Sequence, residues 1–515
     1  MIDPRLSFVG SLTGDVSAVP ALIGGTPVRI VAGTGATSSF VGQVLTYQLS
    51  TLAYRLFDRV ELIGDESAPS HPDIPYLEGA FLPALRRLLP TLRELPKPVA
   101  SERQAVTIVV GNGASETGTL YLGASGWTAY FSANDPQPVY GSDNPLGALA
   151  AGAIGAAELF KFVFRHLLTG AFTKPSYALS LLDYGGGGAD SALREPELPG
   201  DIDLDATLFG CGSIGCGLLA GLLLTPQLHG SITLVDNGVF DHRNPYKYSF
   251  IDWETGRHGL RKATWAEAQI NGLANGRIVA RSFHGTAEEY VASLPANYKI
   301  PLAFSAVDTT EARFQIQDTL PRYIVNAGID GTSAEVSSHG FGQGPCLACL
   351  GMQKALESWN VQPISSALNL SPSRVRGLIQ GNLPMEEEDL ALIRVSINLP
   401  QELRITLESF LGQPVLSLWN RVAYSETTVQ IGAAAPIRVT TAFVSAFAGV
   451  LMLAEGIKRS CLELQQYQVS NSYRQELLGV PAGGTFQHVR DKMGWCLCHS
   501  NFRQAIYRKK YETAT

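Results

Sequence analysis

The clearest pattern in the chain is a change of hydrophobic period between Asp205 and Asp236. From Ala206 to Phe209 the positions read as a strand buried on both faces. Gly210, Gly212 and Gly215 follow at the spacing of a tight turn, and an apolar helical run leads on to Leu224. Ser231 to Val235 returns to strand and ends on the acid Asp236. Strand, glycine turn, helix and acid-ended strand make a nucleotide-binding βαβ unit. Gly210 permits the turn, Gly212 lets the backbone approach a phosphate, Gly215 lets helix and strand pack closely, and Asp236 stands where a carboxylate meets ribose hydroxyls. Alone, the pattern admits a dinucleotide or ATP.

The N-terminal part repeats this theme in degraded form. Val28 to Ala32 reads as a strand ending in glycines, a helical stretch runs to about Phe57, and Arg59 to Asp65 reads as the next strand. Ala105 to Asn112 and Leu120 to Ser132 read as further strands, and Pro145 to about Leu168 as a buried helix of small residues. A glycine-rich stretch from Tyr184 to Gly200 is the natural linker. The expected domains are therefore 1–185, a linker at 186–204, and a second α/β domain formed by 205–349 with 436–515. The region 350–435 is read as an insertion, whose acidic run Glu386 to Asp389 is a solvated loop or a helix start.

Composition narrows the class. A chain of 515 residues with net charge −7 and no long basic run offers no electrostatic footprint for nucleic acid. The start, Met1 to Arg5, lacks the basic and then apolar order of a secretory signal. Two apolar stretches, Ala206 to Leu228 and Val439 to Ala454, read as buried core rather than membrane spans. The expectation is a soluble cytoplasmic protein with no membrane partner.

Chemistry follows Asp236. Asn244, Lys247 and Tyr248, then Lys262, then Asp308 and Arg313 resemble in order and spacing the adenylation site of the E1/ThiF/MoeB family of activating enzymes. Attack of a carboxylate on the α-phosphorus of ATP develops charge on phosphate oxygens, so such a site needs cations, donors and a metal-bound acid. The resemblance implies that Asn244, Lys247 and Lys262 act beside the triphosphate and that Asp308 holds Mg2+. Gly210, Gly212, Gly215 and Asp236 would complete the ATP site. It further implies a bacterial multidomain enzyme that adenylates the C-terminal carboxylate of a ubiquitin-like protein and passes it as a thioester to an E2-like partner. The fold implied is two Rossmann-like adenylation domains as a pseudo-dimer, the N-terminal one degenerate, with an inserted mixed domain and a zinc site; a homo-oligomer is compatible with it. Three positions depart from the family: Gly238 stands at a common second acid, Lys247 at its arginine, and Tyr248 at its glutamine. Lysine keeps the charge and loses the guanidinium fork. Rival readings are an adenylase of a short ribosomal peptide, a nucleotide-binding scaffold without turnover, and an ordinary NAD site.

Cysteines complete the picture. Cys346 and Cys349 form one CxxC, and Cys496, Cys498 and His499 cluster far downstream. Two thiolate pairs brought together make a tetrahedral structural zinc site, as the resemblance also implies. The fourth ligand is Cys498 or His499, and reduced buried thiols without metal are the alternative. Cys211 and Cys216 read as packing residues. The thioester nucleophile expected in the insertion is missing, because 350–458 contains no cysteine, and Cys461 reads as packing. The chain then stops at the adenylate, uses a cysteine elsewhere, or carries another residue at that position within Tyr424 to Ala435, where Ser425, Ala433, Ala434 and Ala435 are candidates. Arg5 is either an arginine lent to the site by the N-terminal domain or a surface arginine.

Overall fold

The computed structural model describes Arg5 and residues 18–512, apart from 95–102, 169–175, 186–194, 331, 343, 351–363, 366–367, 381–382, 396–406, 416–417, 419–427, 430–436, 439–440, 470, 479–482 and 493. These residues form a mixed α/β protein with two parallel-dominated sheets. The chain divides into two compact units, Met1–Ala348 with Thr440–Thr515, and Cys349–Val439.

The first sheet has the order β2-β1-β3-β4-β5-β6. Its strands are β1 (Pro27–Ala32), β2 (Arg59–Ile63), β3 (Val106–Val110), β4 (Leu120–Ala124), β5 (Thr128–Ser132) and β6 (Ser176–Ser180). The first four pair in parallel and the last two add antiparallel. β3, β4 and β5 are buried at every position, which is why their sequences are apolar without alternation.

The second sheet has the order β16-β15-β12-β11-β10-β7-β8-β9. It consists of β7 (Ile202–Phe209), β8 (Leu228–Val235), β9 (Ile278–Phe283), β10 (Leu302–Ser305), β11 (Tyr323–Asp330), β12 (Ser333–Gly340), β15 (Ser472–Glu476) and β16 (Gly483–Phe486). β9, β8, β7, β10 and β11 run parallel, and β12, β15 and β16 continue antiparallel. The Cys349–Val439 unit holds the short ladder β13 (Thr428–Val429) with β14 (Ile437–Arg438). Its core packs Leu368, Val375, Leu390, Ile393, Leu407 and Phe410. There Arg374 grips Asp389 through two bonds of 2.8 Å, and Glu386 to Asp389 start the helix Glu387–Arg394 with a capping box.

Three apolar helices, Leu146–Phe164, Ser213–Leu223 and Ala442–Ser460, are buried along nearly their whole length between the sheets. Among the described residues, Leu146–Phe164 is the helix long and apolar enough to cross a membrane, yet 94% of its apolar window is buried inside the protein. Close helix approach is built from glycine. A Cβ on Gly449 would stand 2.4 Å from the Leu218 backbone nitrogen.

Two of these helices carry the same buried charge pair. Ala157-Glu158 and Lys161 in one match Ala454-Glu455 and Lys458 in the other. Lys161 donates to Glu158 at 2.7 Å and Tyr177 adds a bond of 3.2 Å. Lys458 reaches Glu455 at 2.5 Å and Tyr184 donates to the same carboxylate at 2.5 Å. Lys458 also donates to the carbonyls of Leu181, Leu182 and Tyr467 at 3.0, 2.9 and 3.2 Å. Burial holds both ammonium groups below their ordinary pKa, while each glutamate opposes that shift.

The expected linker behaves differently from a free one. Residues 186–194 lie outside the described residues, but Glu195 accepts from Ser125, Trp127, Thr128 and Ser180, and β7 already begins at Ile202. A carboxylate with four donors is an anchor, so the join between the halves is pinned at its C-terminal side.

Lys458→Met leaves Glu455 buried without its cation, which costs roughly 3–5 kcal/mol. A urea unfolding midpoint close to that of the parent protein would contradict this.

Candidate functional site

The sheet order changes direction at β7 and β10, so their carboxyl ends border a topological switch point, the usual ligand crevice of open α/β sheets. Gly210 leaves β7 with φ of 95°, and a Cβ there would meet the Ala306 carbonyl oxygen at 2.7 Å. A Cβ on Gly215 would stand 2.1 Å from the Gly210 oxygen. Both glycines are therefore demanded by backbone contact. Gly212 caps the helix Ser213–Leu223. A cleft of about 110 Å³ opens here, walled by Gly210, Asp236, Asn237, Thr286, Val307 and Gln315.

Asp236 has a different first duty from the one read in the sequence. One carboxylate oxygen accepts from the Cys211 amide at 2.7 Å and the other from the Gly238 amide at 2.6 Å. The acid at the end of β8 thus holds the glycine turn in shape, and each oxygen keeps further acceptor capacity. Lys262, the first residue of the helix Lys262–Leu273, comes to the same place. A Cβ at Gly238 would lie 3.0 Å from Asp236 Oδ1 and 3.2 Å from Lys262 Nζ. Glycine at that position leaves room for the ammonium beside the carboxylate.

Tyr248 closes the other side. Lys262 Nζ stands 5.7 Å from its ring centre, and the Tyr248 oxygen is 4.0 Å from where a Gly212 Cβ would be. Burial pushes the phenol up to about 12, against the opposing charge of Lys262. Burial acts to lower the Lys262 pKa, but Tyr248 and Asp236 outweigh it and the net shift is upward. Asn244 opens a short 3-10 turn and accepts from the Asp241 amide at 2.9 Å. Lys247 caps that turn, and burial with the like charge of Arg243 lowers its pKa against the pull of Asp241. Asp308 is exposed two positions beyond Ala306, and Arg313 on the following helix donates to the Val307 carbonyl at 3.0 Å.

The structure brings Gly210, Gly212, Asp236, Lys262 and Tyr248 together. Asn244 and Lys247 share the turn that carries Tyr248, and Asp308 lies in the loop after β10, two residues beyond the Ala306 carbonyl that meets Gly210.

Arg55 was not singled out in the sequence. It lies in the N-terminal helix Phe40–Leu56 and donates to the carbonyls of Pro245, Ile251 at 2.7 Å and Leu92 at 3.3 Å. Burial pushes its pKa down to about 10. It clamps the segment after Asn244 to the N-terminal half. The signal for it was a single arginine in a helix with no other charged residue. Arg5 is not a surface residue either. It is buried, bonded to Asp58 at 2.5 Å and to the Leu56 carbonyl at 3.1 Å, and its guanidinium lies 5.8 Å from the Tyr246 ring centre.

The cysteines of the two distant clusters converge. The sulfurs of Cys346, Cys349, Cys496 and Cys498 lie within 4.8 Å of one another, and all four are buried. Cys346 and Cys496 are 3.4 Å apart. His499 turns away, with Nε2 2.7 Å from the Asp491 carbonyl, so the fourth thiol belongs to Cys498. Asp491 sets the second pair by accepting from the Cys496 amide at 2.7 Å. Gln317 sets the first by accepting from the Leu347 amide at 2.8 Å.

The remaining thiols are buried. Cys461 follows the helix Ala442–Ser460, and burial, then Glu463, pushes its pKa up to about 11. Cys211 and Cys216 are raised by burial too. Ser425 and Ala433 to Ala435 lie outside the described residues.

Comparison with known proteins adds a family. Protein y4jF of Sinorhizobium fredii (strain NBRC 101917 / NGR234), described as uncharacterized, is 30% identical over 404 residues, covering 76% of this chain and 75% of that protein. The chain belongs to the y4jF family. Residues 27–180 match the BilD N-terminal domain. Similar solved structures include E. coli MccB, 11% identical over 74% of this chain and 95% of that one with a TM-score of 0.36. Another is the microcin C7 biosynthetic enzyme MccB in complex with N-formylated MccA, 12% identical over 58% and 67% with a TM-score of 0.35.

His339, at the end of β12, is buried against the turn that leads into Cys346. Its Nδ1 lies 3.0 Å from the Pro345 carbonyl, so the neutral ring donates there and accepts at Nε2 from the Ser337 hydroxyl, 2.9 Å away. Burial pushes its pKa down to about 4. The unfolded chain takes up this proton near pH 6.5 and the folded one only near 4, so the stability His339 confers is complete above 6.5 and lost as pH falls through 4. The loss approaches roughly 3 kcal/mol. Urea midpoints at pH 7.5 and 4.5 should fall further for the parent protein than for His339→Gln; equal falls would refute the assignment.

Proposed function

We propose that this chain activates a C-terminal carboxylate by adenylation with Mg-ATP. The observation that carries the reading is the meeting of Lys262 with Asp236 and Tyr248 beside the Gly210–Gly212 turn, at the end of the sheet that also presents Asp308. In this reading a substrate carboxylate oxygen forms a bond to the α-phosphorus while the bond to pyrophosphate breaks. The backbone after Gly212 and the start of its helix face phosphate oxygens. Lys262, kept protonated by its neighbours, and Lys247 offset the charge that develops, and Asn244 donates beside them. Asp308 is a hard, exposed oxygen ligand that suits Mg2+, which would screen the phosphates when bound.

The N-terminal half is proposed to be a degenerate copy of the same domain. The matched Glu–Lys pairs of the two central helices support a duplicated origin, and no lysine and asparagine set follows its first βα turn. The preferred substrate is the C-terminus of a ubiquitin-like protein, with onward thioester transfer to an E2-like partner, in the cytoplasm. One observation favours the second reading, a short peptide adenylase that stops at the adenylate. No cysteine occupies 350–458, and Cys461 is a buried thiol with a pKa pushed to about 11. Four buried sulfurs within 4.8 Å of one another fit Zn2+, and the proposed zinc is structural.

ATP–pyrophosphate exchange in the presence of candidate carboxylates tests the chemistry. Asp308→Ala should abolish exchange with an unchanged circular dichroism spectrum, and Lys247→Ala should cost about 2 kcal/mol of transition-state stabilisation. Near-normal exchange in Asp308→Ala would remove the adenylation reading. A thiol-sensitive adduct with the parent chain separates thioester transfer from adenylation alone.

Elemental analysis should find about one zinc per chain, and chelation should lower the unfolding temperature before it slows exchange at lower temperature. Native protein free of zinc would defeat the metal assignment.

A further inference from the structure

A second charged cavity lies away from the switch point. It encloses about 360 Å³ and is walled by Arg322, Tyr323, Phe341, Arg490, Tyr507 and Arg508. Its elements are the residues leading into β11, the turn after β12, and the C-terminal helix Asn501–Tyr511. Arg459 stands behind Tyr323, its guanidinium 3.0 Å from the ring centre.

Three of the arginines gathered here have no acid beside them. Among the described residues, Arg322, Arg459 and Arg508 have no carboxylate within ion-pair distance, and Glu512 is the single acid on the wall. Arg508 donates to the neutral amide of Gln504 at 3.2 Å, Arg459 to that of Gln468 at 3.2 Å, and Arg490 to the Cys498 carbonyl at 2.7 Å. Burial and then the like charge of Arg322 push the Arg459 pKa down to about 10. Arg322 and Arg459 face one another as like charges, and a wall that groups arginines in this way suits an anion. Their guanidinium forks match the oxygens of phosphate, and a phosphate monoester carries about two charges with three acceptor oxygens. The ring faces of Phe341, Tyr323 and Tyr507 give an attached flat group something to stack on.

We propose that this cavity binds a small phosphorylated ligand at a site separate from the Gly210 cleft. The phosphate rests among Arg322, Arg508 and Arg490, and the organic part lies against Phe341 and Tyr507. Tyr507 holds the wall in place by donating to the Arg322 carbonyl at 3.1 Å, so the C-terminal helix and the entry to β11 move as one.

Isothermal titration of the full chain with inorganic phosphate, pyrophosphate and AMP tests this. Pyrophosphate and AMP should bind in a salt-sensitive manner, and phosphate more weakly. Arg322→Glu should raise the dissociation constant of AMP at least about tenfold at this site, whereas Lys262→Ala, which weakens the other cleft, should leave it unchanged. Arg508→Gln, on an exposed helical position, serves if Arg322→Glu fails to fold, and should raise it about threefold or more. Affinity unchanged in both arginine variants, loss of all binding in Lys262→Ala, or equal binding of tricarballylate and of AMP would each overturn the proposal.

Discussion

Two buried glutamate–lysine pairs hold the first unit together, and the rest of its architecture is arranged around them. Each sits three residues apart on a helix that is otherwise apolar, where a single uncompensated charge would be untenable. Glu455 is shared by Lys458, Tyr184 and the Val469 amide, and Lys458 in turn satisfies three carbonyls. Because Leu181, Leu182 and Tyr184 end the N-terminal half, this single cluster joins the two sheets. Apolar helices could slide in register at little cost; a charge cluster with every donor matched cannot. The same device recurs at Glu158 and Lys161, which fixes the other helix against Tyr177.

A second polar feature crosses the core in one direction. Ser305 donates to Asn326 at 3.1 Å, Asn326 to Ser337 at 3.2 Å, Ser337 to His339, and His339 to the Pro345 carbonyl. Each acceptor forces the role of the next donor, so the tautomer of His339 follows from the chain of bonds. The line starts at the end of β10, three residues before Asp308, and finishes next to Cys346. Together with Gln317, which holds the Leu347 amide from the helix after Asp308, it makes the cysteine cluster a brace for the strand end that the candidate site uses. A metal among those thiols would then act on the site through position alone.

Elements with strong periodicity were legible from the sequence. The strands at Val28, Arg59, Val106 and Leu120, and the helices reaching Phe57 and starting near Pro145, stand where apolar runs and breakers put them; burial on both faces makes the pattern plainest at Val28, Val106 and Leu120. The glycine turn was legible because backbone contact excludes any side chain at Gly210 and Gly215. What escaped were residues whose partners are remote in sequence. Arg55 meets Pro245 and Ile251 across the two halves, Arg5 meets Asp58, and Glu195 anchors a stretch that composition marks as a free linker. Such contacts leave no local period. Asp236 shows the subtler case, since its type and position were plain while its amide partners were not.

The electrostatics of the cleft follow from that last residue. A carboxylate left bare would repel phosphate, yet both oxygens of Asp236 accept backbone amides, and Lys262 stands beside it. Its charge shapes the turn and raises the pKa of Lys262, so the ammonium stands beside an acid whose oxygens are already engaged by backbone amides. Tyr248 acts in the same sense, because a phenol with its pKa near 12 stays neutral and offers a proton rather than a charge. Glutamine, the residue implied at this position by resemblance, would supply a donor but no aromatic face for Lys262. Tyrosine therefore offers a donor beside the glycine turn and adds an aromatic wall that lowers the local dielectric, which would strengthen the contacts of Lys262 with any phosphate bound in the cleft.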